Sequence, residues 1–245
     1  MAWETAIVLG GLFLSGLLRG FTGFGLALAA VPLLALVLPP QQVVPVIATA
    51  QMMTAFVDLP AAWREADWRG ISWILAALAA ATPVGFLALA WLSADLARLL
   101  IGGLVVGSVL LLWRGVRLPE GPGRRLDLAV GVLAGLMNGA VAMPGPPIVV
   151  YFLAAARPVR QVRASFIAFF ACTAPILLVP LALEGLANRE TTMWALIGLP
   201  ALLAGQYLGG LGFRRASAAT HRRVAMASLS VLAVLLMARA LAALV

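Results

Sequence analysis

Apolar residues run along this chain in long blocks separated by short polar breaks, with neither strand alternation nor the one-sided stripe of a water-facing helix. A helix needs about 20 apolar residues to cross about 30 Å of hydrocarbon. By that measure residues 70–92, 164–183, 191–213 and 224–245 are spans, and 43–57 and 99–113 are spans once their flanks are included. Residues 5–18 extend for only about 21 Å of helix, and 145–156 are shorter still. The pattern predicts half-spans there.

The two short pieces occupy corresponding places because the chain repeats itself. A shift of 119 residues aligns 14–55 with 133–174 at 12 identities in 42 positions, among them Gly16, Gly20, Pro39, Gln42 and Thr54. In this register Arg19 pairs with Asn138, and the glycines after Arg19 pair with AVAMPGPP. The first repeat is read as residues 1–114, a cytoplasmic linker as 115–126 with its prolines and glycines, and the second repeat as 127–245.

Composition agrees with a membrane chain: 245 residues, 63% hydrophobic and 11% charged, with mean hydropathy +1.06. The net charge of +8 is carried by arginines in the breaks between apolar blocks, which fits a cytoplasmic membrane face better than nucleic acid. If each short piece and its follower enter and leave by one face, or cross twice, thirteen arginines gather on one side and three on the other, Arg19 standing apart. The expected fold is therefore an all-α integral membrane protein of two inverted repeats, each a broken or re-entrant helix pair plus three transmembrane helices, eight to ten segments in total. It is expected in the cell (inner) membrane with both termini extracytoplasmic. No basic stretch precedes the first block, so the first segment is read as mature protein rather than a leader.

Breaks inside a membrane expose backbone polar groups, which are tolerated where they line a buried site. Gly20, Thr22, Gly23, Phe24 and Gly25 lie at the first break. Asn138, Gly139, Met143, Gly145 and three prolines lie at the second. A helix beginning there directs N–H groups and partial positive charge at an anion; the plain alternative is glycine-mediated helix packing. Arg19 offers a planar fork to an oxyanion or, alternatively, snorkels to the headgroups. Gln51, Thr54 and Asp58 share one stripe of a helix, Thr173 is the repeat mate of Thr54, and Gln206 and Tyr207 are further lining candidates. The candidate substrate-binding set is Arg19, Thr22, Gly23, Phe24, Gly25, Gln51, Thr54, Asn138, Met143, Gly145 and Thr173. A lone cysteine (Cys172), a single histidine (His221) and the absence of an HExxH or acidic cluster give no metal site, no cofactor and no catalytic set, which argues against an intramembrane enzyme.

GLLRGFTGFGLALAAVPLL at 16–34, GLMNGAVAMPGPPIVVYFL at 135–153 and RASFIAFF at 163–170 resemble the TauE/SafE family of sulfite exporters, and the likeness spans nearly the whole chain. The resemblance implies export of a small sulfur oxyanion or sulfonate across the cytoplasmic membrane. The expected function is a secondary transporter of such an anion, held between broken-helix ends near the midplane. A permease for an unrelated small anion and a non-transporting accessory protein are the alternatives. The partners implied are the small anion and the lipid bilayer, with a homo-oligomer an open option and no nucleic acid.

Overall fold

In the computed structural model, the described residues are 2–91, 107, 110–111, 113–114, 117–118, 123–141, 144–155 and 157–242. The expected span at 99–113 falls almost entirely outside them. The helices among the described residues are α1 (Ala2–Thr22), α2 (Leu26–Leu34), α3 (Pro40–Ala62), α4 (Trp68–Trp91), α5 (Arg124–Val141), α6 (Gly145–Ala154), α7 (Val159–Leu183), α8 (Arg189–Arg215) and α9 (Ala218–Ala242). Four stretches within α1, α3, α7 and α8 are long and apolar enough to cross a membrane: Trp3–Thr22, Gln42–Ala62, Val159–Leu183 and Arg189–Arg215.

The half-span expected over the first apolar block is a full-length helix. Residues 5–18 are no half-span, because α1 continues through Arg19 to Thr22 and reaches 21 residues. Burial and pairing of Arg19 inside the protein remove the reason for stopping the helix at a charge. The short elements are instead α2, with nine residues, and α6, with ten. In α6 the chain uses Pro146 and Pro147 in the first turn, where a missing N–H costs no helical bond.

Helix bounds recur at the period read from sequence. α1 ends at Thr22 and α5 at Val141, α2 begins at Leu26 and α6 at Gly145, and α3 begins at Pro40 and α7 at Val159, each pair 119 residues apart. The bond from Thr54 Oγ1 to the Gln51 carbonyl (3.0 Å) recurs as that from Thr173 Oγ1 to the Phe170 carbonyl (3.1 Å).

The chain divides into two compact units that draw on both halves of the sequence: Met1–Ala66 with Arg163–His221, and Asp67–Val162 with Arg222–Val245. In the first, α1 packs along α8 through glycines on both helices. A Cβ on Gly16 or Gly20 would run into the main chain of Leu202 or Gln206, and one on Gly205 or Gly209 into that of Phe13 or Leu17. Two reciprocal GxxxG faces thus bring the backbones together, which is how helices associate where lipid removes the hydrophobic drive. Leu12, Leu26, Leu34, Val46 and Leu202 fill the core beside this seam. Asn188 begins α8 with a capping box: its Oδ1 accepts from the Glu190 and Thr191 amides while Thr191 Oγ1 accepts from the Asn188 N–H.

In the second unit α4 packs along α5, and Gly131 and Gly135 meet the Ile74 and Leu78 carbonyls. Its polar interior joins Tyr151 to Asp127, the phenol donating at 2.5 Å, and pairs Arg157 with Asp67.

Candidate functional site

α1 closes on a left-handed residue. Gly23, at φ +87°, donates its N–H to the Arg19 carbonyl at 2.7 Å, the bond that ends a helix when the next residue turns left-handed. Gly25, at φ +98°, turns the chain again before α2, and no side chain caps that helix. Both positions favour glycine for conformational reasons. Gly23 also abuts α7, since a Cβ there would lie 2.7 Å from the Arg163 carbonyl oxygen. The close approach expected of this glycine is therefore made to protein backbone.

The end of α1 leaves carbonyls without helical partners, and other helices supply donors. Arg163 on α7 donates from Nε (3.0 Å) and Nη2 (2.7 Å) to the Gly20 carbonyl, with its guanidinium 4.7 Å from the centre of the Phe213 ring. His221, 2% exposed, places Nε2 3.3 Å from the Thr22 carbonyl and stacks on Phe21. Thr22 Oγ1 bonds the Leu18 and Phe24 carbonyls at 2.8 and 2.7 Å and accepts from the Phe24 amide. Phe24 itself packs 4.8 Å from the Phe166 ring.

Arg19 lies one turn before this end. It is 1% exposed, so its side chain is buried in protein rather than turned to the headgroups. Nε and Nη2 both donate to one oxygen of Asp58 on α3, at 3.3 and 3.1 Å, and Gln206 Nε2 on α8 donates to the other. Nη1 makes no hydrogen bond among the described residues. The Gln206 Oε1 is buried without a partner among them. Arg163 lies within electrostatic reach of both Asp58 and Arg19. Glu65 and Arg214 act on Arg163 as well, so three guanidinium groups face two carboxylates and the locality keeps one positive charge in excess.

Of the sequence-derived set, Arg19, Thr22, Gly23, Phe24, Gly25, Gln51, Thr54 and Thr173 belong to this first unit. Gln51 Nε2 donates to the Phe170 carbonyl at 3.0 Å, so α3 and α7 meet at positions that are repeat mates. The hydroxyls of Thr22, Thr54 and Thr173 are all spent on main-chain carbonyls. Asn138 and Gly145 belong to the second unit, where Asn138 Nδ2 donates to Thr82 Oγ1 at 3.3 Å and its Oδ1 has no partner among the described residues. Met143 lies outside the described residues. Tyr207 is 68% exposed, because one residue along a helix turns away from the face Gln206 uses.

Four residues of this centre lie outside the candidate set, and of these Gln206 stood in the sequence only as a further lining candidate. Asp58 was legible as the last member of the Gln51 stripe, yet its place near a segment end hid its role. Arg163 reads in sequence as one more arginine of a basic break, and His221 as part of a basic loop. The described residues hold no cluster of three or more His, Cys, Asp or Glu able to bind a metal.

Among curated proteins the chain is similar to one from Cupriavidus necator described as a probable sulfite/organosulfonate exporter TauE, at 26% identity over 211 residues that cover 83% of this chain and 82% of that one. No solved structure matches the chain. The family model described as sulfite exporter TauE/SafE matches residues 7–236, from the first turns of α1 into α9, so the broken first segment, the GPP segment and the buried Arg19 all lie within one match, and the chain belongs to the TauE/SafE sulfite exporter family.

Proposed function

We propose that this multi-pass membrane protein is a secondary transporter that carries a small sulfur oxyanion, sulfite or an organosulfonate, out across the cytoplasmic membrane, with Arg19 as the anion's principal partner. The observation that carries the reading is the buried Arg19, which spends Nε and Nη2 on one oxygen of Asp58, has the second cation Arg163 within electrostatic reach, and keeps Nη1 free of hydrogen bonds among the described residues. An arginine inside a membrane protein is retained at a cost that function must justify, and its planar fork matches the oxygens of a sulfite or sulfonate group. The family and the name of the Cupriavidus relative supply the substrate class.

Since the nearby threonine hydroxyls are occupied by backbone, the first contact with the anion falls to Arg19 and to Gln206 beside it. Gln51, Phe24 and Gly25 shape the surroundings, and Asn138 is the second-half counterpart of Arg19. The recurrence of helix bounds 119 residues apart supports two repeats. Their inverted orientation, with both termini outside, follows from the arginine distribution. Impermeant labelling of tagged termini from the outside only is the expected result, and labelling from the inside only refutes the orientation.

The direct test is flux of labelled sulfite and a sulfonate from proteoliposomes. Flux above protein-free vesicles is expected, with Arg19→Gln slowing it while the protein stays folded. No flux for any sulfur anion refutes the reading and favours the non-transporting alternative; flux of unrelated small anions alone refutes the substrate class.

A further inference from the structure

Asp58 is engaged at both oxygens, and its two partners respond differently to a proton. Arg19 donates twice to Oδ2 and, as a permanent cation with no acceptor, pairs by charge only with the ionised carboxylate. Gln206 donates to Oδ1 from Nε2 while its own Oε1 stays buried and without a partner among the described residues. A half-turn of that amide exchanges the two atoms and presents Oε1 to Asp58 as an acceptor. Gln206 thus satisfies the carboxylate by donating and the neutral carboxyl by accepting. The orphaned oxygen of the present state is the atom the protonated state uses.

We propose that Asp58 is a protonation switch for the transported anion, an inference that rests on Arg19 binding that anion. With the site empty, Asp58 is ionised and holds Arg19. An arriving sulfite or sulfonate oxygen takes over the Arg19 N–H donors. Asp58 then loses its counterion beside a new negative charge, takes one proton from solvent onto a carboxyl oxygen, and donates that O–H in a hydrogen bond to Gln206 Oε1. The charged groups acting on this centre are Arg19 from α1 and Arg163 from α7, with Glu65 and Arg214 acting on Arg163. α8 contributes the neutral Gln206 at the centre, and α2, which packs on α3, carries no titratable side chain. Anion and proton therefore bind together, and by linkage each strengthens the other. A monoanion leaving with one proton carries no net charge, so its efflux follows the combined anion and proton gradients independently of membrane potential.

The test uses methanesulfonate, which stays a monoanion at every pH used, so any proton counted belongs to the protein. Binding calorimetry on the detergent-solubilised wild type, in buffers of different ionisation enthalpy, is expected to show net proton uptake with each anion bound. Affinity is expected to rise by up to about tenfold per unit fall in pH where the empty site is ionised. In proteoliposomes, a pH gradient of one unit, acid outside, is expected to drive about tenfold accumulation of methanesulfonate. Asp58→Asn abolishes that accumulation and leaves whatever flux remains sensitive to membrane potential. Binding without proton uptake, or accumulation by Asp58→Asn equal to wild type, overturns the switch while leaving the transport reading intact. Absence of any sulfite or methanesulfonate binding and flux overturns both. Should Asp58→Asn fail to fold, the wild-type proton count decides alone.

Discussion

Neutralising one member of the Arg19–Asp58 pair should cost far more than neutralising both. At the Nη2–Oδ2 separation of 3.1 Å, an effective dielectric of about 20 gives a gross attraction of about 5 kcal/mol. Desolvation offsets much of this, because the side chains are only 1% and 11% exposed. The pair's net worth is therefore small, while the cost of orphaning one charge is large, about 3–5 kcal/mol. The two single substitutions are not equivalent. Asp58→Asn leaves Arg19 without its counterion and within reach of the like-charged Arg163, whereas Arg19→Met leaves Asp58 still within reach of Arg163. The expected order of destabilisation is Asp58→Asn above Arg19→Met, with the double variant within about 1 kcal/mol of wild type. Reversible SDS unfolding of dodecylmaltoside-solubilised protein, followed by tryptophan emission, gives all three values. Additive single effects, with a coupling energy under about 0.5 kcal/mol, would refute the claim that the two charges depend on each other.

Glycines differ sharply in what they tolerate. Gly205→Val should abolish the folded, monodisperse protein in size-exclusion chromatography, since any Cβ there strikes the Phe13 carbonyl; Gly10→Ala, with nothing within 4 Å, should be neutral or raise Tm slightly. At the first break, Gly25→Ala should cost about 1–2 kcal/mol for its φ of +98°. Gly23→Ala should cost more in the same SDS titration, because the Arg163 carbonyl adds a clash to the strain. Tyr151→Phe removes the hydrogen bond to buried Asp127, and a loss of about 1–3 kcal/mol is expected by the same measurement.

Helix class, block lengths and the 119-residue period were readable from the chain because membrane helices are written in long apolar blocks and a repeat copies its punctuation. The bounds of α6, α7 and α8 fall within a few residues of the expected segments. The error over residues 5–18 has a specific cause: a charge was read as the end of an apolar segment, and whether a charge ends a membrane helix depends on whether another helix supplies a counterion. Nothing within α1 states that it does. The same limit hid the pairing of α1 with α8 and of α4 with α5. Their GxxxG spacings were visible as glycines in apolar surroundings, but glycines that pack helices and glycines that break them look alike until φ angles separate Gly16 and Gly20 from Gly23 and Gly25.

The site itself was half legible for a related reason. A sequence shows an anomalous residue but not the anomaly that answers it, and here the two answer each other: Arg19 and Asp58 are charges in apolar helices 39 residues apart. Each taken alone admits a bland account, snorkelling for the arginine and a segment end for the aspartate. Together, with Gln206 able to serve either protonation state of the acid, they form a centre that a merely structural ion pair would not require. A pair serving only stability would be held most simply by donors that favour the carboxylate in one fixed state. An amide with one buried oxygen left unsatisfied keeps a second state within reach, and a transporter that must bind its anion on one face and release it on the other needs two states of nearly equal free energy.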